Sequence, residues 1–312
     1  MITTPSQVVL VTGASGFIGR YIVRYFMEQG WTVIGIDNSP PENAPLANLT
    51  TYHQLQLPNS DLKHILQETP TKVLIHCAGR ASVGLSVKEP KADFYGNTVL
   101  TFELLNALRL HAPQCRFILL SSAAVYGNPA SIPISESQST TPISPYGFHK
   151  LQCEQICLEF TKLYQVPTAT ARIFSAYGPG LRRQVLWDIC EKAITNDVVS
   201  LQGTGQESRD FIHALDIAKA LFLIANTAVM QGEAYNLASG AEVTIAKLAE
   251  LALDALDYRG RLEFDGKIPM GNPLNWQADI TKLQTLGFSP SETLEKGVNT
   301  FANWCRAELI CI

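Results

Sequence analysis

Val8-Val9-Leu10-Val11-Thr12-Gly13-Ala14-Ser15-Gly16-Phe17-Ile18-Gly19 is the stretch that decides the fold of this chain. A short β-branched run reads as a buried strand, and the amphipathic residues from Gly16 to Gln29 read as a helix. The glycines between them stand at 13, 16 and 19, a Gly-x-x-Gly-x-x-Gly spacing rather than the better-known Gly-x-Gly-x-x-Gly. The physics is shared. Glycine permits a tight strand-to-helix turn, lets a pyrophosphate approach the backbone, and leaves phosphate charge at the positive end of the helix. Isolated glycines are more often plain turn residues, but the strand before and the helix after favour a dinucleotide loop built from Gly13, Gly16, Phe17, Ile18 and Gly19.

Working outward, Thr32–Ile36, Lys72–His76, Arg116–Leu120 and Thr168–Arg172 read as further strands. They alternate with helical stretches at 61–68 and 97–111 and with a helix that carries Lys150 and runs to about Tyr164, with Asn59, Ser60 or Asp61 available to cap the first of these. Strands alternating with helices predict a doubly wound parallel sheet covered on both faces. The second half is less regular, with helices expected at 184–195, 213–226, 244–256 and 293–304. The expected division is a dinucleotide-binding domain over 1–174 with 211–238 returning to it. A smaller mixed α/β substrate lobe would comprise 175–210 and 239–312.

Asp37 closes the second strand about twenty residues beyond the loop, where a carboxylate accepts hydrogen bonds from ribose hydroxyls and repels a 2′-phosphate. No Arg or Lys lies between Asp37 and Lys63, so NAD is expected rather than NADP. Tyr146 and Lys150 share one face of a helix through i, i+4 spacing. A phenol with a pKa near 10 is a poor base at neutral pH, and an adjacent ammonium favours its ionised form. By itself Tyr-x-x-x-Lys is far more often an ordinary surface pair. Beside a dinucleotide loop it points to proton transfer at a carbinol.

The 312 residues carry 24 basic and 28 acidic side chains, with no basic tract to suggest a nucleic-acid partner. No apolar run approaches the ~18 residues of a membrane span, and Met1–Pro5 lacks the layout of a signal peptide. Seven scattered cysteines fit reduced thiols and a cytoplasmic location; Cys153 and Cys157 share a helix face without the further ligands a zinc site needs, so no metal is expected.

With these residues placed, the chain resembles the extended short-chain dehydrogenase/reductase superfamily, in its nucleotide-sugar epimerase/dehydratase branch. The resemblance spans essentially the whole length. It rests on VTGASGFIG (11–19), IDN (36–38), HCAGRASV (76–83), SSAAVYG (121–127), SPYGFHK (144–150), RIFSAYGPG (172–180) and SRDFIHALDIA (208–218), in that order. It implies Ser122, Tyr146 and Lys150 as catalytic residues, with Ser121 the alternative to Ser122. It implies Asn38, Ala78, Gly79 and Asn97 near the cofactor, Ser82, Ser175 and Arg209 near a sugar nucleotide, and a homodimer built from the helices at 97–111 and 147–164.

There are departures from the family pattern. His149 replaces a small residue, Gln56-Leu57 stands where an acidic residue is common, and Ser175 stands where asparagine is common. Pro269-Met270-Gly271-Asn272-Pro273 lacks a customary arginine, for which Arg182 or Arg183 is the nearest substitute. Sugar 4,6-dehydration needs an acid and a base after the catalytic Ser, and these positions are Ala123 and Ala124. The expected activity is therefore 4-epimerisation of a nucleoside-diphosphate hexose. A keto-sugar nucleotide reductase or dehydrogenase is the alternative, and a non-catalytic dinucleotide-binding protein is the third reading.

Overall fold

The computed structural model describes residues 7–40, 49, 51–267 and 274–310; Met1–Pro5, the segment 269–273 and Cys311 lie outside the described residues. Seven parallel strands form the main sheet, in the order β10-β6-β5-β4-β1-β2-β3. They are β1 (Val8–Thr12), β2 (Thr32–Asp37), β3 (Thr51–Gln54), β4 (Val73–His76), β5 (Arg116–Ser122), β6 (Thr168–Ile173) and β10 (Gln231–Leu237). The order reverses direction between β1 and β4, so the crevice outside their carboxyl ends is the expected ligand position in such a sheet.

Both faces are buried, and β1 shows why its sequence is apolar throughout. Val9 and Val11 pack on one side with Ile22, Val23 and Phe26 of α1 (Phe17–Glu28). Leu10 packs on the other with Leu104 and Leu108 of α5 (Leu100–His111). Around these stand α2 (Leu62–Glu68) and α6 (Pro145–Tyr164) on the second face, and α8 (Ala214–Thr227) beside α1 on the first. Thus Ala214–Thr227 and β10 both pack on the main sheet, as does Leu283 of α10 (Thr281–Gln284).

Two local expectations need correcting. The long helix does not begin at Asn97: α3 (Val83–Lys88) and α4 (Pro90–Phe94) precede it, and a π-helical turn over Tyr95–Val99 leads into α5. Asp61 stands at the N-cap of α2, but its side chain caps nothing; Asn59 Oδ1 instead accepts the Asp61 N–H at 2.9 Å.

The remaining segments form a lobe with its own core. It holds α7 (Gln184–Thr195), α9 (Ile245–Ala255) and α11 (Leu294–Ile310), a three-stranded sheet of β7 (Ser175–Tyr177), β9 (Ser208–His213) and β11 (Glu242–Thr244), and a parallel pair of β8 (Val198–Leu201) and β12 (Arg261–Phe264). The buried Asp210 carboxylate ties this lobe to the segment after β10. It accepts from Ser239 N and Oγ, each at 2.8 Å, from Gly240 N at 3.0 Å and from Ala278 N at 3.1 Å. Among the described residues no helix is long and apolar enough to cross a membrane, and no His/Cys/Asp/Glu group could hold a metal ion.

Candidate active site

The carboxyl ends of β1, β4, β5 and β6 open into a cleft of about 920 Å³ whose far wall belongs to the lobe. That volume lies at the upper end of the ~300–1,000 Å³ usual for small-molecule sites.

The floor is the glycine loop. Gly13, Gly16, Phe17, Ile18 and Gly19 all line the cleft. At Gly13 φ is +69° and a Cβ would lie 2.7 Å from Ala78 N; at Gly19 it would lie 2.1 Å from Gly13 O. Neither position can carry a side chain without moving the turn. Beneath the loop, Ala78 N–H donates to Thr12 Oγ1 at 3.3 Å, and the Thr12 hydroxyl and His76 Nδ1 share a hydrogen bond at 2.9 Å. Burial pushes His76 down to about 3, with the nearby Lys150 charge adding to the effect, so the ring is neutral.

Asp37 lies at the tip of β2 beside the loop rather than in the cleft wall. Its Oδ2 accepts Ser15 N–H at 2.9 Å and its Oδ1 accepts Ser39 N–H at 3.0 Å. Asn38 is exposed and donates to Gln56 Oε1 at 3.3 Å. Gly79 lines the cleft, and Asn97 lies buried behind it. The Asn97 amide donates to Arg80 O and Asp93 O, both at 3.1 Å, while its Oδ1 is a buried acceptor with no partner. Asn97 falls in the π-helical turn, a device that recurs at functional sites. The glycine cradle, the Asp37 carboxylate and this orphan acceptor fit a dinucleotide.

The candidate reacting groups come from β5 and α6. Ser144 caps α6, accepting Gly147 N–H at 3.2 Å, and Pro145 follows at the first position. A Cβ on Gly147 would lie 2.6 Å from Ala124 O, so glycine is what lets α6 press against the turn after β5. This brings Tyr146, Lys150 and Ser122 onto one wall. Tyr146 N–H donates to Ser86 Oγ at 3.1 Å. Lys150 Nζ donates to Leu120 O at 3.0 Å and stands 6.0 Å from the Tyr146 ring centroid.

Ser121 and Ser122 differ in their partners. Ser121 Oγ donates to the buried Glu154 carboxylate at 2.6 Å, whereas Ser122 Oγ accepts only Ala124 N–H, at 3.2 Å, and keeps its proton free. His149, the unusual residue before Lys150, turns away from this wall to meet the wholly buried Asp93, with Nδ1 to Oδ2 at 2.6 Å.

Ser82, Ser175 and Arg209 also line the cleft. Ser82 caps α3, accepting Leu85 N–H at 3.3 Å. Arg209 donates to Ser208 O at 2.7 Å and Leu274 O at 3.2 Å, and lies 5.6 Å from the Trp276 ring. Burial pushes this guanidinium down to about 10, against the opposing pull of the Glu207 carboxylate. Trp276, Ile245 and Gln202 also line the cleft and carry no local sequence signal, because each reaches it from a separate segment, and Phe211 joins them from the 208–218 motif.

A glycine cradle at the switch point of a doubly wound sheet, facing an aligned Ser, Tyr and Lys, defines a dinucleotide-dependent enzyme. The chain belongs to the NAD dependent epimerase/dehydratase family, whose model matches residues 9–238. It is 29% identical over 318 residues to a UDP-glucose 4-epimerase of Halalkalibacterium halodurans, covering 95% of each chain. Among solved structures it is similar to a UDP-N-acetylglucosamine 4-epimerase from Methanobrevibacter ruminantium (29% identity, TM-score 0.89, 98% and 100% of the two chains covered). It is also similar to a UDP-glucuronic acid 4-epimerase from Bacillus cereus in complex with UDP-glucuronic acid and NAD (26% identity, TM-score 0.88, 97% and 100% covered).

Proposed function

We propose that this enzyme interconverts the C4 epimers of a uridine-diphosphate hexose, with Tyr146 as acid and base. One observation carries the choice among the chemistries of the family. Among the described residues, the carboxylates lining the cleft are Asp188 and Glu207, both on the lobe and both engaged. Asp188 pairs with Lys192 at 2.7 Å, and Glu207 accepts Thr204 and Gly205 N–H groups within 3.1 Å. No carboxylate stands beside Ser122, where Ala123 and Ala124 follow. A methyl group transfers no proton, so neither water nor carbon dioxide can be expelled from the sugar with help from this wall.

What the wall does hold suffices for reversible oxidation at one carbinol. Tyr146 takes the C4 hydroxyl proton and later returns one to the keto oxygen. Ser122 donates a hydrogen bond to that oxygen as its charge changes, and Lys150 holds the phenol toward its ionised form. Bound NAD supplies the reversible hydride chemistry. In this reading Asp37 holds the adenosine ribose, with Asn38 at its side; Asn97 serves the nicotinamide half, and Ala78 and Gly79 flank it. Ser82, Ser175 and Arg209 serve the sugar and its phosphates. The named relatives support the reading, since all three act at C4 of a UDP-sugar, though on different sugars.

The test is to incubate the purified protein with UDP-glucose, without added cofactor, and to resolve the sugars after hydrolysis. The galactose epimer is expected, together with NAD released on denaturation. A 4-keto-6-deoxy product, or turnover only with stoichiometric added cofactor, would replace epimerisation by dehydration or net redox chemistry.

Pairing of α5 and α6 with their copies in a second subunit is the assembly we propose. On these helices Leu105 and Phe160 are spent in the core of this chain. Phe102, Leu110, Phe148, Leu163 and Tyr164 remain exposed on the same helices, at 41%, 55%, 53%, 69% and 43%. Clustered apolar exposure of this kind marks an interaction face. Sedimentation equilibrium at micromolar concentration is expected to give a dimer mass; a monomer throughout would remove the contact.

A further inference from the structure

Five basic side chains line the cleft among the described residues: Arg80, Lys150, Arg183, Lys192 and Arg209. Three of them have work already. Arg80 is paired with Glu89 at 2.5 Å, Lys192 with Asp188 at 2.7 Å, and Lys150 stands against Tyr146. A nucleoside-diphosphate sugar carries one negative charge on each bridging phosphoryl group, and Arg209 alone would meet only part of that charge. The segment 269–273, where an arginine is customary, has none.

Resting on the nucleotide-sugar reading, we infer that Arg183 is the second guanidinium that binds the substrate diphosphate, opposite Arg209. Its neighbour has been diverted elsewhere. Arg182 forms an ion pair with Glu308 of α11 (Nε to Oε2 3.0 Å) and stacks on Trp304 at 5.4 Å, outside the cleft. Arg183 has no carboxylate. It donates through one terminal nitrogen to the Ala81 carbonyl, across the cleft mouth and one residue from Ser82. That contact leaves the other edge of the planar fork open, the geometry suited to two phosphate oxygens. The chain is extended at Arg183 (φ −165°) and then makes a left-handed turn at Gln184 (φ 71°) into α7. No acidic residue stands in the first turn of that helix to compete for the guanidinium. Because Arg183 is exposed before substrate enters, its one bond to a carbonyl is exchanged for an anion at little cost.

The experiment is calorimetric titration of the full-length protein with UDP, with uridine, with UDP-glucuronate and with NAD, for the wild type, Arg183→Ala, Arg183→Lys and Arg182→Ala. Loss of a charge-assisted bidentate contact is expected to weaken UDP by about 10- to 100-fold in Arg183→Ala. Arg183→Lys is expected to recover part of this, and Arg182→Ala none of the loss. Uridine and NAD affinities are expected to stay at the wild-type value, the latter showing that the variants fold. Wild-type UDP affinity in Arg183→Ala would overturn the assignment. So would an effect confined to UDP-glucuronate, which would move Arg183 to the sugar carboxylate, or an equal loss for uridine, which would make its role structural. A wild type that binds NAD but no UDP would instead overturn the nucleotide-sugar reading itself.

Discussion

Tyr146→Phe is expected to lower turnover by ~100- to 10,000-fold while NAD affinity and thermal stability stay near the wild-type values. The change deletes one oxygen and keeps the ring that fills the wall between Ser86 and the cleft. Tyr146 is 9% exposed, and the bond that fixes its position comes from its backbone N–H to Ser86 Oγ, so Phe inherits the same placement. What disappears is the group that accepts and returns the C4 proton, and neither His76 nor a carboxylate can replace it. His76 is sealed beneath the loop with Nδ1 committed to Thr12, and the cleft carboxylates are engaged on the lobe. A range of this size corresponds to about 2.7–5.5 kcal/mol of barrier. Single-turnover kinetics with bound NAD measures it directly. Full activity in the variant would remove Tyr146 from the mechanism, whereas parallel loss of NAD binding would show that the ring and not the hydroxyl matters.

The second large effect is expected behind the wall, on stability. Arg172 donates to Glu154 from Nε, at 3.1 and 3.2 Å to the two oxygens, and from Nη2 at 2.7 Å; both side chains are less than a tenth exposed. The same guanidinium donates to Tyr126 Oη at 2.8 Å, and Glu154 accepts Ser121 Oγ. Burial opposes the Arg172 charge, but the Glu154 carboxylate outweighs it and holds the guanidinium well above its ordinary pKa. Glu154→Leu strands that cation. Breaking a buried pair in this way costs about 3–5 kcal/mol. A neighbouring cavity of about 440 Å³ reaches both residues and admits water, which favours the lower end. Denaturant unfolding is expected to show a loss of about 3 kcal/mol, and Glu154→Leu with Arg172→Met is expected to recover most of it, since no unpaired charge remains. If the single variant unfolds at the wild-type midpoint, the pair contributes nothing. Because Ser121 adjoins Ser122, turnover is expected to fall in the single variant as well.

The parts of the site that were legible in sequence are those in which local chemistry and final geometry coincide. Gly13 and Gly19 are read from spacing; the structure gives Gly19 a steric reason in its own turn, at Gly13 O, and gives Gly13 one in its left-handed φ and in the backbone of Ala78. Tyr146 and Lys150 face the same way because a helix has 3.6 residues per turn, whatever surrounds it. Asp37 follows from its place at the end of a strand. The distinction between Ser121 and Ser122 was not legible, because it depends on Glu154, thirty-odd residues away, claiming one hydroxyl. Nor was the difference between Arg182 and Arg183, which Glu308 and Trp304 decide from α11. The π-helical turn at Asn97 and the short strand Thr51–Gln54 carried too weak a periodicity to be seen.

The sequence by itself determined the doubly wound sheet, through the alternation of strands and helices, and pointed to the dinucleotide loop, the Tyr146–Lys150 pair on one helix face and the methyl side chains at Ala123 and Ala124. Each of the last three is a property of one short segment, set by backbone sterics, helical repeat or side-chain composition. Tertiary structure alone decided which polar groups were left free. Whether an arginine, a serine or a carboxylate can act on a substrate depends on whether a distant residue has already satisfied it. In this protein, pairing with residues distant in the chain engages Ser121 through Glu154 and Arg182 through Glu308, and leaves Ser122, Arg183 and Arg209 lining the cleft.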